Sequence, residues 1–136
     1  MPRCPVKNET EFQTLFLKGA RRCNATAFNF IGHERQKKGI PDIHIDHGIW
    51  QGWLEIKFDD NTYSKEQEKH IKDMKDRAYG MRLNSRLNII TIENHKEQIL
   101  QTFASPSNKT LDSWRKVFIE IMLWLKERRE QVSNGS

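Results

Sequence analysis

Very little in this chain points to a secreted, membrane or zinc-built protein. Its 136 residues hold two cysteines, Cys4 and Cys23, too few and too unpatterned for a disulfide framework or a metal-ligand spacing. A reduced, cytoplasmic setting is therefore expected. No run is apolar and long enough to span a bilayer, and the first residues lack a signal-peptide apolar stretch, so no membrane partner is expected. The five histidines, His44 and His47 included, form no zinc-type grouping with cysteine, and no Ser-His-Asp arrangement stands out. A Gly-rich phosphate loop is missing, as are zinc-finger and basic-zipper spacings, internal repeats and low-complexity tracts.

Charge is what the chain has in quantity. Charged residues make up 30% and hydrophobic ones 36%, with a net charge of +5 and a pI near 9.3. That length and balance fit one domain with a real core, and the basic excess points to an anionic partner, nucleic acid before membrane.

Hydrophobic spacing predicts a first helix over residues 9–22, with Phe12, Leu15, Phe16 and Ala20 as its apolar stripe. On that helix Glu9 projects at the edge of the stripe, whereas Glu11 points away. Glu9 is then either a carboxylate turned toward a site or a favourable charge at a helix N-terminus. Residues 24–31 read as a strand. The polar, basic segment His33-Glu34-Arg35-Gln36-Lys37-Lys38-Gly39 follows, either a solvated connection or a phosphate-holding loop through Arg35, Lys37 and Lys38.

The stretch from Gly39-Ile40-Pro41-Asp42 to Leu54-Glu55-Ile56-Lys57-Phe58 reads as a hairpin turning at His47-Gly48. Ile43 and Ile45 alternate with Asp42, His44 and Asp46; Leu54, Ile56 and Phe58 alternate with Glu55 and Lys57. Glu55 and Lys57 leave the same face, and the pairing brings Asp42 to that side. Such a trio is either a set of solvated surface charges or a divalent-metal site with a cation beside it. Mg²⁺ takes one or two carboxylates and fills its remaining positions with water and phosphate oxygens.

Ser64-Lys65-Glu66-Gln67 has capping-box spacing for a helix that runs through Ile71, Met74 and Ala78 and stops at Gly80. Gln67 is either the capping partner or a first-turn side chain facing the site. A strand is expected at 87–92, a short helix at 95–103 and a linker at 104–109. Thr110 caps a last helix reaching about residue 131, with Leu111, Trp114, Phe118, Ile121, Met122 and Leu125 in one stripe. Ile119, Leu123 and Trp124 widen that apolar face beyond one sheet contact, and wide faces often cover a second partner.

The order helix, strand, Gly-Ile-Pro-Asp, Glu55-Ile56-Lys57, Ser64-x-x-Gln67, Gly80, strand resembles the PD-(D/E)xK nuclease superfamily. Within it the pattern is similar to the virus-type replication-repair nucleases, which are related to the archaeal Holliday-junction resolvases. The resemblance spans roughly residues 8–100. It implies an α/β fold with a restriction-endonuclease-like core, a mixed central β-sheet flanked by helices; the C-terminal helix and tail over 110–136 are read from the sequence as an extra element of the same domain. Asp42 and Glu55 would be metal ligands, with a carbonyl near Ile56. Lys57 would be the catalytic lysine, Gln67 the glutamine closing the site, and Glu9, ahead of Glu11, the helix-one carboxylate. The implied activity is Mg²⁺-dependent hydrolysis of DNA phosphodiesters, with Mn²⁺ able to substitute, on branched DNA in phage-type replication, recombination or repair. Lys65 joins Arg35, Lys37 and Lys38 as an expected DNA contact, and a homodimer is expected. The alternatives are a less selective repair or restriction-type endonuclease, and a nucleic-acid-binding module with a vestigial site. Residues 81–86 form a longer connection than that pattern leads one to expect, and the last helix lies outside it.

Overall fold

A computed structural model describes residues 4–29 and 43–134. Helix α1 (Glu9–Arg22) starts where Asn8, in extended backbone, accepts the Glu11 N–H on its side chain at 2.8 Å. Acidic Glu9 and Glu11 sit in its first turn and basic Arg21 and Arg22 in its last, both favourable to the helix dipole. The chain leaves it through Asn24, at φ 62°, a left-handed conformation that asparagine tolerates.

Three antiparallel strands follow as a meander: β1 (Thr26–Asn29), β2 (Ile43–Asp46) and β3 (Gln51–Phe58). Helix α2 (Lys65–Met74) and a 3-10 turn (Lys75–Arg77) carry the chain over to β4 (Ala78–Asn84), which runs parallel to β3. Strands β5 (Ile89–Glu93) and β6 (Ile99–Ala104) add on antiparallel, and α3 (Leu111–Asn134) closes the described chain. The six strands form one mixed sheet in chain order. The expected α/β class and mixed central sheet are present.

The two faces of the sheet differ in chemistry because alternate residues point to opposite sides. Ile43 and Ile45, Leu54 and Ile56, Met81 and Leu83, and Ile90 and Ile92 make one dry face and are fully buried. Each contributes on the order of 1.5–3 kcal/mol by burial. Helices α1 and α3 join that core, Phe12 packing on Trp114 at 6.1 Å and Phe16 on Phe118 at 5.4 Å between ring centres. The two helices approach so closely that a Cβ on Gly19 would lie 2.6 Å from the Trp114 carbonyl oxygen. Along the opposite face run Glu55 and Lys57, Gly80 and Arg82, Thr91 and Glu93, side by side in register. Helix α2 packs on β4 from that polar side.

Four expectations fail here. Gly80 does not end α2: the helix stops at Met74, broken at Lys75 by a φ of 54°, and Gly80 sits inside β4. Met74 and Ala78 fall at helical spacing from Ile71, which masks the period-2 alternation of Tyr79, Met81 and Leu83. Residues 81–86 are consequently strand and turn, not a connector. The third failure is the helix at 95–103, where the structure has a hairpin to β6. The Asn94 side chain accepts the Lys96 and Gln98 N–H groups at 2.9 and 3.0 Å, and Glu97 takes a φ of 61°. A nine-residue helix has little stability of its own, whereas the open edge of β5 offers a full ladder. Ala104 ends β6 instead of opening a linker.

Most of the wide apolar face of α3 is consumed within the chain. Trp114, Val117, Phe118, Ile121, Met122 and Leu125 are buried, and Ile119 and Trp124 pack partly against the same core. Trp124 meets Phe103 of β6 at 6.4 Å, edge to face. Leu111 and Leu123 stay exposed. None of the described helices is long and apolar enough to cross a membrane.

Candidate active site

Two side chains of β3 define the site. Leu54 and Ile56 anchor the strand in the core, so Glu55 and Lys57 must emerge on the polar face, and both stay covered, at 1% and 9% exposure. Lys57 Nζ lies 3.6 Å from Glu55 Oε2, an ion pair too long for a strong hydrogen bond. It also donates to Gln67 Oε1 at 3.3 Å, and it sits 5.7 Å from the centre of the Tyr63 ring. A buried ammonium needs such company, because desolvation costs several kcal/mol unless charge and hydrogen bonds offset it.

Gln67 reaches Lys57 through its capping role. Ser64 Oγ accepts the Gln67 N–H at 3.1 Å, and Gln67 Oε1 accepts the Ser64 N–H at 2.8 Å. The same Oε1 atom then takes the lysine. Gln67 is the capping partner expected, and the box that starts α2 also aims its amide oxygen at Lys57.

The loop at 59–63, between β3 and α2, is tied down from β4 and β5. Arg82 donates through Nη1 to the carbonyl oxygens of Asp59, at 2.7 Å, and Asn61. Its Nε bonds Glu93 Oε2 at 2.8 Å, and its Nη2 bonds Glu97 Oε1 at 2.7 Å. Tyr63 donates to the other oxygen of Glu93 at 2.9 Å. Burial and the neighbouring Glu93 charge push the Tyr63 phenol well above its ordinary range. Sequence patterns did not single out Tyr63, Arg82 or Glu93. The usable signal is the alternation of 79–83, which marks Arg82 as a strand residue opposite the core.

The remaining expected residues divide. Glu9 is half-buried and accepts from Asn61 Nδ2 at 3.4 Å, so it faces the 59–63 loop. Glu11 is engaged elsewhere: it accepts the Lys7 N–H at 3.0 Å and pairs with Lys109 at 2.9 Å, and both contacts hold its carboxyl below the usual range. Lys65 is exposed at the start of α2. Asp42, Arg35, Lys37 and Lys38 lie outside the described residues. Next to the site, His44 stands edge-on to Trp53 at 4.6 Å, and burial lowers its pKa.

Among the described residues no three carboxylate, histidine or cysteine side chains gather as a ready metal cage. Beside Lys57, Glu55 supplies a buried hard-oxygen donor of the type Mg²⁺ accepts, and that ion uses only one or two protein carboxylates. A carboxylate of this kind is compatible with Mg²⁺. Comparison with protein-family models, curated proteins and solved structures finds no match to this chain.

Proposed function

We propose that this protein is a Mg²⁺-dependent DNA endonuclease of the PD-(D/E)xK type, acting on branched DNA such as a four-way junction. The observation that carries this reading is the cluster of Glu55, Lys57 and Gln67, in which a buried lysine is held between a carboxylate and an amide oxygen. Supporting it is the element order, a helix and a three-stranded meander followed by a helical crossover to a parallel strand, which is compatible with a restriction-endonuclease-like core. Asp42 directly precedes Ile43, whose antiparallel partner is Leu54.

In this reading Glu55 and Asp42 hold the metal, which when bound supplies an activated water and offsets charge on the phosphoryl group. Lys57 orients that water or donates to a phosphate oxygen as negative charge builds there. Gln67 keeps Lys57 from collapsing fully onto Glu55, and Glu9 closes the site from α1. Arg35, Lys37, Lys38 and Lys65 supply sequence-independent phosphate contacts. A homodimer able to nick both strands of a junction is the finer form of the proposal, with Leu111 and Leu123 the large apolar side chains α3 still exposes for it.

The test is incubation of four-way, flap and linear DNA with the protein in Mg²⁺, Mn²⁺ and EDTA. Metal-dependent nicking that is abolished in Glu55→Ala and in Lys57→Ala supports the reading. Tight DNA binding with no cleavage in either metal would replace it with a binding module.

A further inference from the structure

A tightly held side chain near the site, Tyr63, is one the chemistry above does not use. The Tyr63 hydroxyl occupies the space left by the missing side chain of Gly80: a Cβ there would lie 1.4 Å from the hydroxyl oxygen and 2.5 Å from Cζ. In the register of the sheet, position 80 lies between Glu55 on β3 and Glu93 on β5. The hydroxyl donates to Glu93 Oε1 at 2.9 Å, and Glu93 is 2% exposed. That carboxylate is fixed in turn by Arg82 and by Thr91 Oγ1 at 3.0 Å. Above this anchor the Tyr63 ring lies 5.7 Å from the Lys57 ammonium. Ser64, whose N–H holds the Gln67 amide oxygen, is the next residue in the chain.

Packing alone does not account for this arrangement. A phenylalanine would bring the same ring, and a glycine inside a strand weakens it unless something approaches closely. Here the close approach is a hydroxyl directed at a buried carboxylate. The residue ahead of the α2 cap is thereby locked to β5, and both partners of Lys57 in that loop and helix are set by it.

We propose that Tyr63, anchored to Glu93 through the gap at Gly80, is a positioning residue that fixes Lys57 and Gln67 in their working geometry. The proposal rests on the nuclease reading above. In this scheme Tyr63 acts through Lys57 and Gln67 and not on the scissile phosphate.

The test uses the full chain with Tyr63→Phe, Gly80→Ala, Tyr63→Leu, and the last two combined. Single-turnover cleavage at saturating DNA in Mg²⁺, DNA affinity in Ca²⁺ and the melting temperature are measured for each. Tyr63→Phe should slow cleavage about tenfold, the scale of one broken hydrogen bond, with DNA affinity close to wild type and a melting temperature lowered by no more than that one bond to Glu93 accounts for. Gly80→Ala should reproduce that split, and it should add little in the Tyr63→Leu background, where the displaced oxygen is already gone. If Gly80→Ala does not fold, Tyr63→Phe decides alone. A wild-type cleavage rate in Tyr63→Phe overturns the proposal, as does a fall in rate matched by loss of affinity and stability, which would make Tyr63 a packing residue. Absence of cleavage by the wild type itself overturns the nuclease reading and this inference with it, and is told apart because it shows in the unsubstituted protein.

Discussion

Lys57 donates to the Gln67 side-chain oxygen at 3.3 Å, on the same atom that accepts the Ser64 N–H at 2.8 Å. Helix start and site geometry are thus one hydrogen-bonded unit. Replacing Gln67 with leucine should cost stability by about 1 kcal/mol for the missing cap and also lower turnover. Ser64→Ala should cost a similar amount of stability but less turnover, since it leaves the Gln67 amide able to meet Lys57. Denaturant melts paired with single-turnover rates check the split. Equal loss of turnover in the two variants would show that the cap, and not the amide, matters.

Glu9 and Glu11 should behave differently although both sit in the first turn of α1. Glu9 faces Asn61 in the loop beside the site, whereas Glu11 bridges to Lys109 ahead of α3. Glu9→Gln is expected to lower turnover well beyond Glu11→Gln. Glu11→Gln should change stability little, as exposed ion pairs do. A cleavage assay giving the reverse ranking would place the helix-one role on Glu11.

Gly19 is a packing requirement of the α1 and α3 pair. A methyl group would press on the Trp114 carbonyl, where the neighbouring atoms are backbone and no flexible side chain can yield. Gly19→Ala should destabilise the fold by about 1–3 kcal/mol, as overpacked helix contacts do. Urea midpoints measure this. A midpoint unchanged or raised would mean that the two helices can separate at no cost.

Alkaline pH should loosen the fold in a way Tyr63 controls. The phenols of Tyr63 and Tyr79 are both raised, mainly by burial. A group raised in the folded state contributes its full stability below the unfolded pKa, about 10 for tyrosine. That contribution disappears as pH climbs from there toward the folded value, because the unfolded chain releases its proton first. Stability should therefore fall above about pH 10, and less steeply in Tyr63→Phe. Parallel pH profiles for the two proteins would show that Tyr63 ionises freely in the fold.

The basic run before Asp42 should set affinity without setting rate. Neutralising Arg35, Lys37 and Lys38 together is expected to weaken binding to every DNA and to lower the salt slope by roughly one unit for each phosphate no longer neutralised. Fluorescence anisotropy across a salt series reads both. An unchanged slope would make that segment a bystander.

The sequence by itself determined what depends on near neighbours in the chain. Alternation over 54–58 puts Glu55 and Lys57 on one face, and the Ser64-to-Gln67 spacing is enough to start α2, because those signals act within a strand or a single helical turn. The Asn94 turn is as local, yet its pattern misleads, since its outcome depends on whether a strand edge lies beside it. The direction of Glu9 follows from helical phase, but its contact with Asn61 does not.

Tertiary structure decided the rest. Whether 78–84 is helix end or strand turns on the parallel crossover to β3, where the sheet overrides weak helical spacing. Gly80 reads as a helix stop in the sequence and as a seat for the Tyr63 hydroxyl in the fold. The Arg82, Glu93 and Tyr63 linkage joins β4, β5 and the loop before α2, and no short-range pattern encodes a bond across 30 residues. Amphipathic period fixes which way a side chain points from its own backbone; only the packed sheet fixes what it meets.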